Sequence, residues 1–245
     1  MKWAGACSSP KYATKPPRAL GNRVLAALPS DIAARLAPQL KPVALPLGQV
    51  LYEPGQRLNH LYFPTRGIVA LLYTTAKGAS TEIGVVGREG VVGLALFLGG
   101  ETASHGALVL SAGDALTLPV AVLLVEFNRG GVLQRRLLRH TQALFTQTAQ
   151  TAVCNRLHSV EQQLCRWLLL CHDRLEPDEL TMTQELIAHM LGCRREGVTV
   201  AARHLQETGW IRYSRGHIAI LNRPALEAAV CECYRAVKAE EDRLL

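Results

Sequence analysis

The sequence predicts an α+β protein: an N-terminal antiparallel β-roll, one long helix, and a C-terminal winged helix-turn-helix. Three observations carry this. Between Val43 and Phe127 short apolar runs are cut repeatedly by glycine, from Gly48 to Gly113. From Val132 to about His172 there is neither proline nor glycine. Between Thr181 and Leu221 two short amphipathic segments meet at Gly192 and are followed by a hairpin pattern. The 245 residues are 49% apolar and 19% charged, enough for one or two domains with a sizeable core. No apolar run reaches the ~20 residues of a spanning helix. No apolar stretch follows the basic N-terminus before Arg18 and Arg23, which argues against a signal peptide. A soluble, cytoplasmic chain with no membrane partner is the expectation. Seven cysteines are too sparse, and odd in number, for a disulfide scaffold. Cys154, Cys165 and Cys171 fall in helical sequence, where thiols behave as small buried hydrophobes.

Taken in order, residues 1–22 mix Pro, Ser, Lys and Gly without period and read as a flexible basic arm. The sensor-like roll is expected over 23–128. It opens with Val24, Leu25, Leu28, Ile32, Leu36 and Leu40 at helical spacing. Pro29-Ser30-Asp31 divides these into two short helices, the second capped by Ser30 or Asp31. Val50–Tyr52, Ile68–Tyr73, Thr81–Val86 and Ala107–Leu110 read as strands, with turns at Pro54-Gly55 and Lys77-Gly78. Many short strands with such turns imply a roll, barrel or sandwich. Over 129–158 a long helix follows, breaking near Leu157–Ser159 because forty residues exceed a usual globular helix. Its stripe of Leu133, Leu137, Leu144 and Thr148 would serve as a dimer seam or as an intramolecular packing face. Residues 159–224 hold the winged domain, and 225–245 a C-terminal helix.

Charge sharpens the C-terminal reading. The net +7 is concentrated in the arm and in 194–223, which has six arginines against Glu196 and Glu207. Thr181-Met182-Thr183-Gln184 fits a capping box for a helix whose buried face is Leu186, Ile187, Met190 and Leu191. Gly192-Cys193 makes the turn. A second helix runs from about Arg194 to Glu207 with Val198, Ala201, Ala202 and Leu205 inward, and Gly209 ends it. Glu196, Thr199 and Arg203 lie opposite that apolar face. Arg194 and Arg195 occupy the first turn, where the helix dipole repels cations, so they make more sense facing a polyanion than as solvated surface charges. Trp210–Tyr213 and Ile218–Leu221 frame a wing whose Arg215 and His217 reach phosphate.

At these residues the chain resembles the Crp/Fnr family of bacterial transcription regulators, over roughly 23–235. The strongest match runs from Leu180 to Ile220, centred on Ala188-His189-Met190-Leu191-Gly192-Cys193-Arg194-Arg195-Glu196-Gly197-Val198. Val50–Gly55, Val85–Gly93 and Cys231-Glu232-Cys233-Tyr234 add support. The resemblance implies a cyclic-nucleotide-binding-like roll, a dimerisation helix, and a homodimer on double-stranded DNA at a near-palindromic operator. RNA polymerase becomes a further partner if the outcome is activation. It also implies that Arg195 and Glu196 read bases, with Val200 standing where the family has a further arginine. Thr183 and Gln184 would position phosphate.

The sensor departs from the family pattern. Relatives that bind cyclic AMP use Gly-Glu-Leu followed by Arg-Ser, whereas this chain has Gly93-Leu94-Ala95-Leu96 and Ala103-Ser104-His105. Without the guanidinium a buried phosphate is badly compensated, so cyclic AMP is not expected and the effector is left open. Arg88, Glu89, Gly93, Ser104 and His105 are the candidate pocket for another ligand. No cofactor and no metal are expected. Iron–sulfur ligands would need cysteines near the N-terminus beyond Cys7, and His60 and His105 lack an identifiable haem partner. Cys231-x-Cys233 is close-spaced for zinc and would place its sulfurs on different sides of a helix. Catalysis is not expected either: there is no P-loop and no supported nucleophile triad, and Asp178-Glu179 sits in an exposed-looking turn. The other reading of the chain is a ligand-binding regulatory subunit whose winged domain contacts protein.

Overall fold

The computed structural model describes residues 21–76, 78–175 and 179–245. The arm up to residue 20, Lys77 of the expected turn and Asp178 of the acidic pair lie outside the described residues. Helices α1 (Arg23–Ala26) and α2 (Ser30–Leu36) precede strands β1 (Lys41–Leu45), β2 (Val50–Tyr52), β3 (His60–Thr74), β4 (Ser80–Val86) and β5 (Gly106–Pro119). Then come α3 (Val120–Asn128), α4 (Val132–Leu157) and α5 (Val160–His172). The C-terminal part holds β6 (Glu179–Thr181), α6 (Gln184–Leu191), α7 (Arg195–Glu207), β7 (Ile211–Ser214), β8 (His217–Ile220), α8 (Arg223–Ala229) and α9 (Glu232–Leu244).

The first sheet is antiparallel in the order β1-β5-β3-β4, with β2 also paired to β5. All four runs expected as strands lie inside it. β1 has no such signal because Pro42 sits in it, and proline is tolerated there since β1 is an edge. The two N-terminal helices form as expected, but neither Ser30 nor Asp31 caps the second. Pro29 is the cap residue and makes no side-chain bond, while Asp31 lies in the first turn at the positive end of the dipole. Asn22 caps α1, its side-chain oxygen accepting from the Val24 and Leu25 amides at 3.0 and 3.3 Å.

Ile68-Val69-Ala70-Leu71 in β3 is apolar at every position, so both of its faces must be covered. Val69 and Leu71 point into the roll with Val86 and Val109. Ile68 and Ala70, with Val85 and Leu110, point the other way into a second core built from α5 to α9. The C-terminal domain is thus packed directly on the back of the roll.

Helix α4 breaks from α5 at His158-Ser159, as expected, and Ser159 with Gln162 forms a capping box there. Its stripe resolves in favour of intramolecular packing. Leu133, Leu137 and Leu144 are buried in the roll core, and Thr148 donates to the Ile83 carbonyl at 3.1 Å. The outward face instead exposes Leu138, Phe145, Val153 and Leu157. Gln147 is buried and reaches the free edge of β4, accepting from the Val85 amide at 2.6 Å and donating to the Val85 carbonyl at 3.3 Å. Polar α4 residues therefore satisfy a sheet edge that would otherwise be open. Gly90 allows α4 this close, since a Cβ there would fall 2.1 Å from His140 Cε1. The single helix expected over 225–245 is two, α8 and α9, separated at Val230-Cys231.

Candidate nucleic-acid interface and sensor pocket

Helix α6 ends at Gly192 in the left-handed region (φ 64), and α7 begins three residues later. Any Cβ at Gly192 would be strained and would meet Thr81 Oγ1 of β4 at 2.9 Å. Ile187, Ala188, Met190 and Leu191 of α6 and Val198, Ala201, Ala202 and Leu205 of α7 are buried against each other and α5. That leaves the other side of α7 in solvent, with Arg194, Arg195, Glu196, Val200 and Arg203 all exposed. Arg194 is the cap residue but makes no side-chain cap bond, so the first amides of this thirteen-residue helix stay available to an anion.

The wing is a three-stranded sheet in the order β6-β8-β7. Its tip, Arg215-Gly216, has two positive φ values, 50 and 81, the signature of a tight mirror-image turn. Asparagine and glycine are the usual occupants of the first position. An arginine held in the left-handed region is locally unfavourable. Tyr213 aligns the wing with α6 by donating from its hydroxyl to the Met182 carbonyl at 2.9 Å. Thr183, Gln184, Arg195, Tyr213, Arg215 and Gly216 line one cleft of about 280 Å³. Among the described residues no carboxylate lies within ion-pair distance of Arg194, Arg195, Arg203 or Arg215. By contrast Arg35, Arg174, Arg223 and Arg243 are each paired. His217 is exposed on β8, 3.4 Å from Thr181 Oγ1.

Two details correct the sequence reading. No capping box forms at Thr181-x-x-Gln184: the cap is Thr183, which accepts from the Leu186 amide at 3.2 Å. Gln184 turns instead to α7, where its Oε1 accepts from Thr199 at 2.8 Å. Thr199 is therefore a half-buried tie between the helices rather than a free base reader, and Val200, 68% exposed, holds the outer position.

The expected ligand pocket is not one site. Glu89 is buried at the junction of the domains, bonded by Arg174 at 2.7 Å and by the Gly87 amide at 2.9 Å. Burial alone would raise its carboxyl, but Arg174 and that amide hold it below the usual range. Arg174 also pairs with Glu241 of α9 and donates to the Leu170 carbonyl at 2.8 Å, tying roll to C-terminal domain. Arg88 shares a narrow cleft with Glu89, Arg174 and Glu241, and with Arg174 it also borders a larger one of about 400 Å³ lined by Thr65, Gly67 and Ser111. Ser104 and His105 sit together elsewhere, beside the Tyr52 hydroxyl at 3.4 Å, and burial lowers the His105 pKa. Gly93 (φ 112) leads into a short 3-10 turn whose Leu94 and Leu96 are buried with Phe97 and Ala103.

A Crp-like helix-turn-helix domain matches residues 162–229, and a cyclic nucleotide-binding domain matches residues 42–129. The chain belongs to the Crp/Fnr family. Solved Crp/Fnr-type structures share its fold. FixK2 from Bradyrhizobium japonicum superposes with a TM-score of 0.68 at 16% identity, covering 78% of this chain and 98% of its own. A putative regulator of the family from Eubacterium rectale gives 0.67 at 16% identity, over 85% and 98%. A third, TTHA1359 from Thermus thermophilus, gives 0.60 at 21% identity, over 77% and 97%. No curated protein matches the chain. This Crp/Fnr protein is accordingly a DNA-binding transcription regulator and not an enzyme. None of its described helices is long and apolar enough to cross a membrane.

One cluster escaped the sequence reading. Cys231 is the cap residue of α9 and Cys233 lies in its first turn, so their sulfurs do not diverge across a helix. Both converge on Cys154 and His158 from the end of α4. Cys154 and His158 are four apart, a spacing that puts two side chains on one helix face, and that signal was present in the sequence.

Proposed function

We propose that the chain is a homodimeric, sequence-specific DNA-binding regulator of near-palindromic sites, working in the cytoplasm. The observation that carries this is the group of unpaired guanidinium groups at one edge: Arg194, Arg195 and Arg203 along α7, with Arg215 on the wing. Arg195 would be bidentate to guanine, Glu196 would accept from cytosine N4, and the exposed Val200 suits a thymine methyl. Thr183 and Arg215, on either side of the same cleft, suit a phosphate, and the free α7 amides add to it.

Dimerisation is assigned to the outward face of α4. Leu138, Phe145, Val153 and Leu157 expose apolar side chains along one long helix, and such a row favours burial against a copy of itself. Two recognition helices would then enter successive major grooves about 34 Å apart. Against cyclic AMP stand the apolar Leu94, Leu96, Phe97 and Ala103, which fill the segment that grips ribose and phosphate in relatives. Whatever effector acts does so through the Glu89–Arg174–Glu241 junction and the β4–α4 contacts, by favouring one packing over another.

The test is selection of bound sites from a random DNA library by the purified chain, at fixed near-physiological salt and without ligand. The expected result is an inverted repeat with half-sites one helical turn apart. Salt-sensitive binding with no preferred sequence, unchanged on adding cell extract, would favour a winged domain that contacts protein instead.

A further inference from the structure

We infer that Cys154, His158, Cys231 and Cys233 form a structural Zn²⁺ site that clasps the end of α4 to the start of α9. The four ligand atoms, three sulfurs and one imidazole nitrogen, all lie within 4.8 Å of one another, and all four residues are at least partly buried. Cys154 Sγ is 3.6 Å from Cys231 Sγ, and Cys233 Sγ is 3.6 Å from His158 Nδ1. A tetrahedral zinc with bonds of ~2.3 Å to sulfur and ~2.0–2.1 Å to nitrogen separates its ligands by about 3.8 Å (S···S) and about 3.6 Å (S···N). Two of the six separations thus match that tetrahedron, and the others lie within 4.8 Å, so small side-chain rotations bring the four atoms around one ion.

Three further features fit zinc rather than chance packing. His158 Nε2, the nitrogen turned away from the sulfurs, is 3.4 Å from Glu232 Oε1, the carboxylate–imidazole arrangement that orients a metal-binding histidine. Gln163 donates to the carbonyls of His158 (3.0 Å) and Cys154 (3.4 Å), fixing the backbone that carries two ligands. Arg166 is buried beside the cluster with its Nε unpartnered, its NH1 donating to Thr151 at 3.1 Å. Nearby Glu82 takes its hydrogen bond from Trp167, at 2.8 Å, and not from Arg166. Loading would release three thiol protons and leave Zn²⁺ with three thiolates and a neutral imidazole, a net charge of −1 that the guanidinium offsets. Three soft sulfurs and one nitrogen in a closed, buried site select zinc over the oxygen-seeking cations. The inference does not rest on the DNA-binding reading.

The full chain, reduced and stripped with a chelator, is titrated with Co²⁺ and then with Zn²⁺. Expected are one Co²⁺ per chain with the intense visible absorption of a tetrahedral ion, a charge-transfer band scaled to three thiolates, and displacement by one equivalent of Zn²⁺. Cys233→Ser should lose a third of that band or more, and Cys193→Ser, outside the cluster, none. Glu232→Ala alters a side chain that is 79% exposed, so the fold is spared while Co²⁺ affinity drops ~10-fold or more. An octahedral spectrum without a thiolate band in the wild-type chain overturns the site, whatever the variants do. So does an equal response of Cys193→Ser and Cys233→Ser, or a Cys154–Cys231 disulfide that resists reduction.

Discussion

Arg215→Asn should make the protein more stable and a weaker DNA binder at once. Arg215 occupies the first position of the wing turn at φ 50, while Gly216 takes the second at φ 81. A left-handed backbone disfavours most L-residues by ~1–2 kcal/mol, and asparagine largely escapes that penalty. The substitution should therefore stabilise the wing by about 1 kcal/mol, raising Tm by roughly 2–4 °C in a chain of this size. Arg215 has no carboxylate partner to lose, so no folded-state ion pair offsets the gain. On DNA the opposite holds. One phosphate contact fewer per subunit lowers the slope of log K against log salt by ~0.9, and by about 1.8 for a dimer. Sequence preference should be unchanged, because phosphate contacts position the protein without reading bases. Thermal melts and fluorescence anisotropy on the selected operator across a salt series measure both quantities on one preparation. An unchanged salt slope would refute the assignment of Arg215 to phosphate, and a lowered Tm would refute the strain argument.

Arg195→Ala should relax the base preference at one position of each half-site by ~1–3 kcal/mol, read as flattened specificity in competition binding. Wild-type discrimination in that variant would remove α7 from the groove. Phe145→Glu replaces a side chain that is 69% exposed, so the protomer should fold normally yet sediment as a monomer with weakened operator binding. A dimer of undiminished stability would place the interface elsewhere. Burial pushes the Glu82 carboxyl up to about 7 from 4.5, against the pull of the Trp167 hydrogen bond and of Arg166. A raised folded value means the native state binds the proton more tightly, so this group's contribution is intact below pH 4.5 and lost as pH rises through about 7. Glu82→Gln should thus gain about 3 kcal/mol over wild type at pH 8 and less than about 1 kcal/mol at pH 5 in urea melts. An equal gain at both pH values would contradict that account.

Local pattern carried the elements that follow from local rules. The αL glycine at 192, the inward faces of α6 and α7, and the arginines of 194–215 could all be read directly, because helix period and turn chemistry act over a few residues. The break at His158-Ser159 was legible for the same reason. What failed needed partners distant in sequence. Gln184 resembles a cap until Thr199, fifteen residues on, is seen to take it. Glu89 resembles a ligand group until Arg174 is found across the domain junction, and Cys231 and Cys233 look mismatched until the end of α4 arrives beside them. Leu133, Leu137 and Leu144 were apolar on any reading, but periodicity cannot say whether a stripe meets the same chain or another copy.

By itself, then, the sequence determined the architecture and the cationic edge of α7 and the wing, since hydrophobic period, glycine placement and uncompensated charge are written residue by residue. Only the tertiary structure decided where buried charges and thiols find partners. A polar group removed from water must be satisfied, and the chain satisfies Glu89, Gln147 and the Cys154 cluster with groups more than sixty residues away.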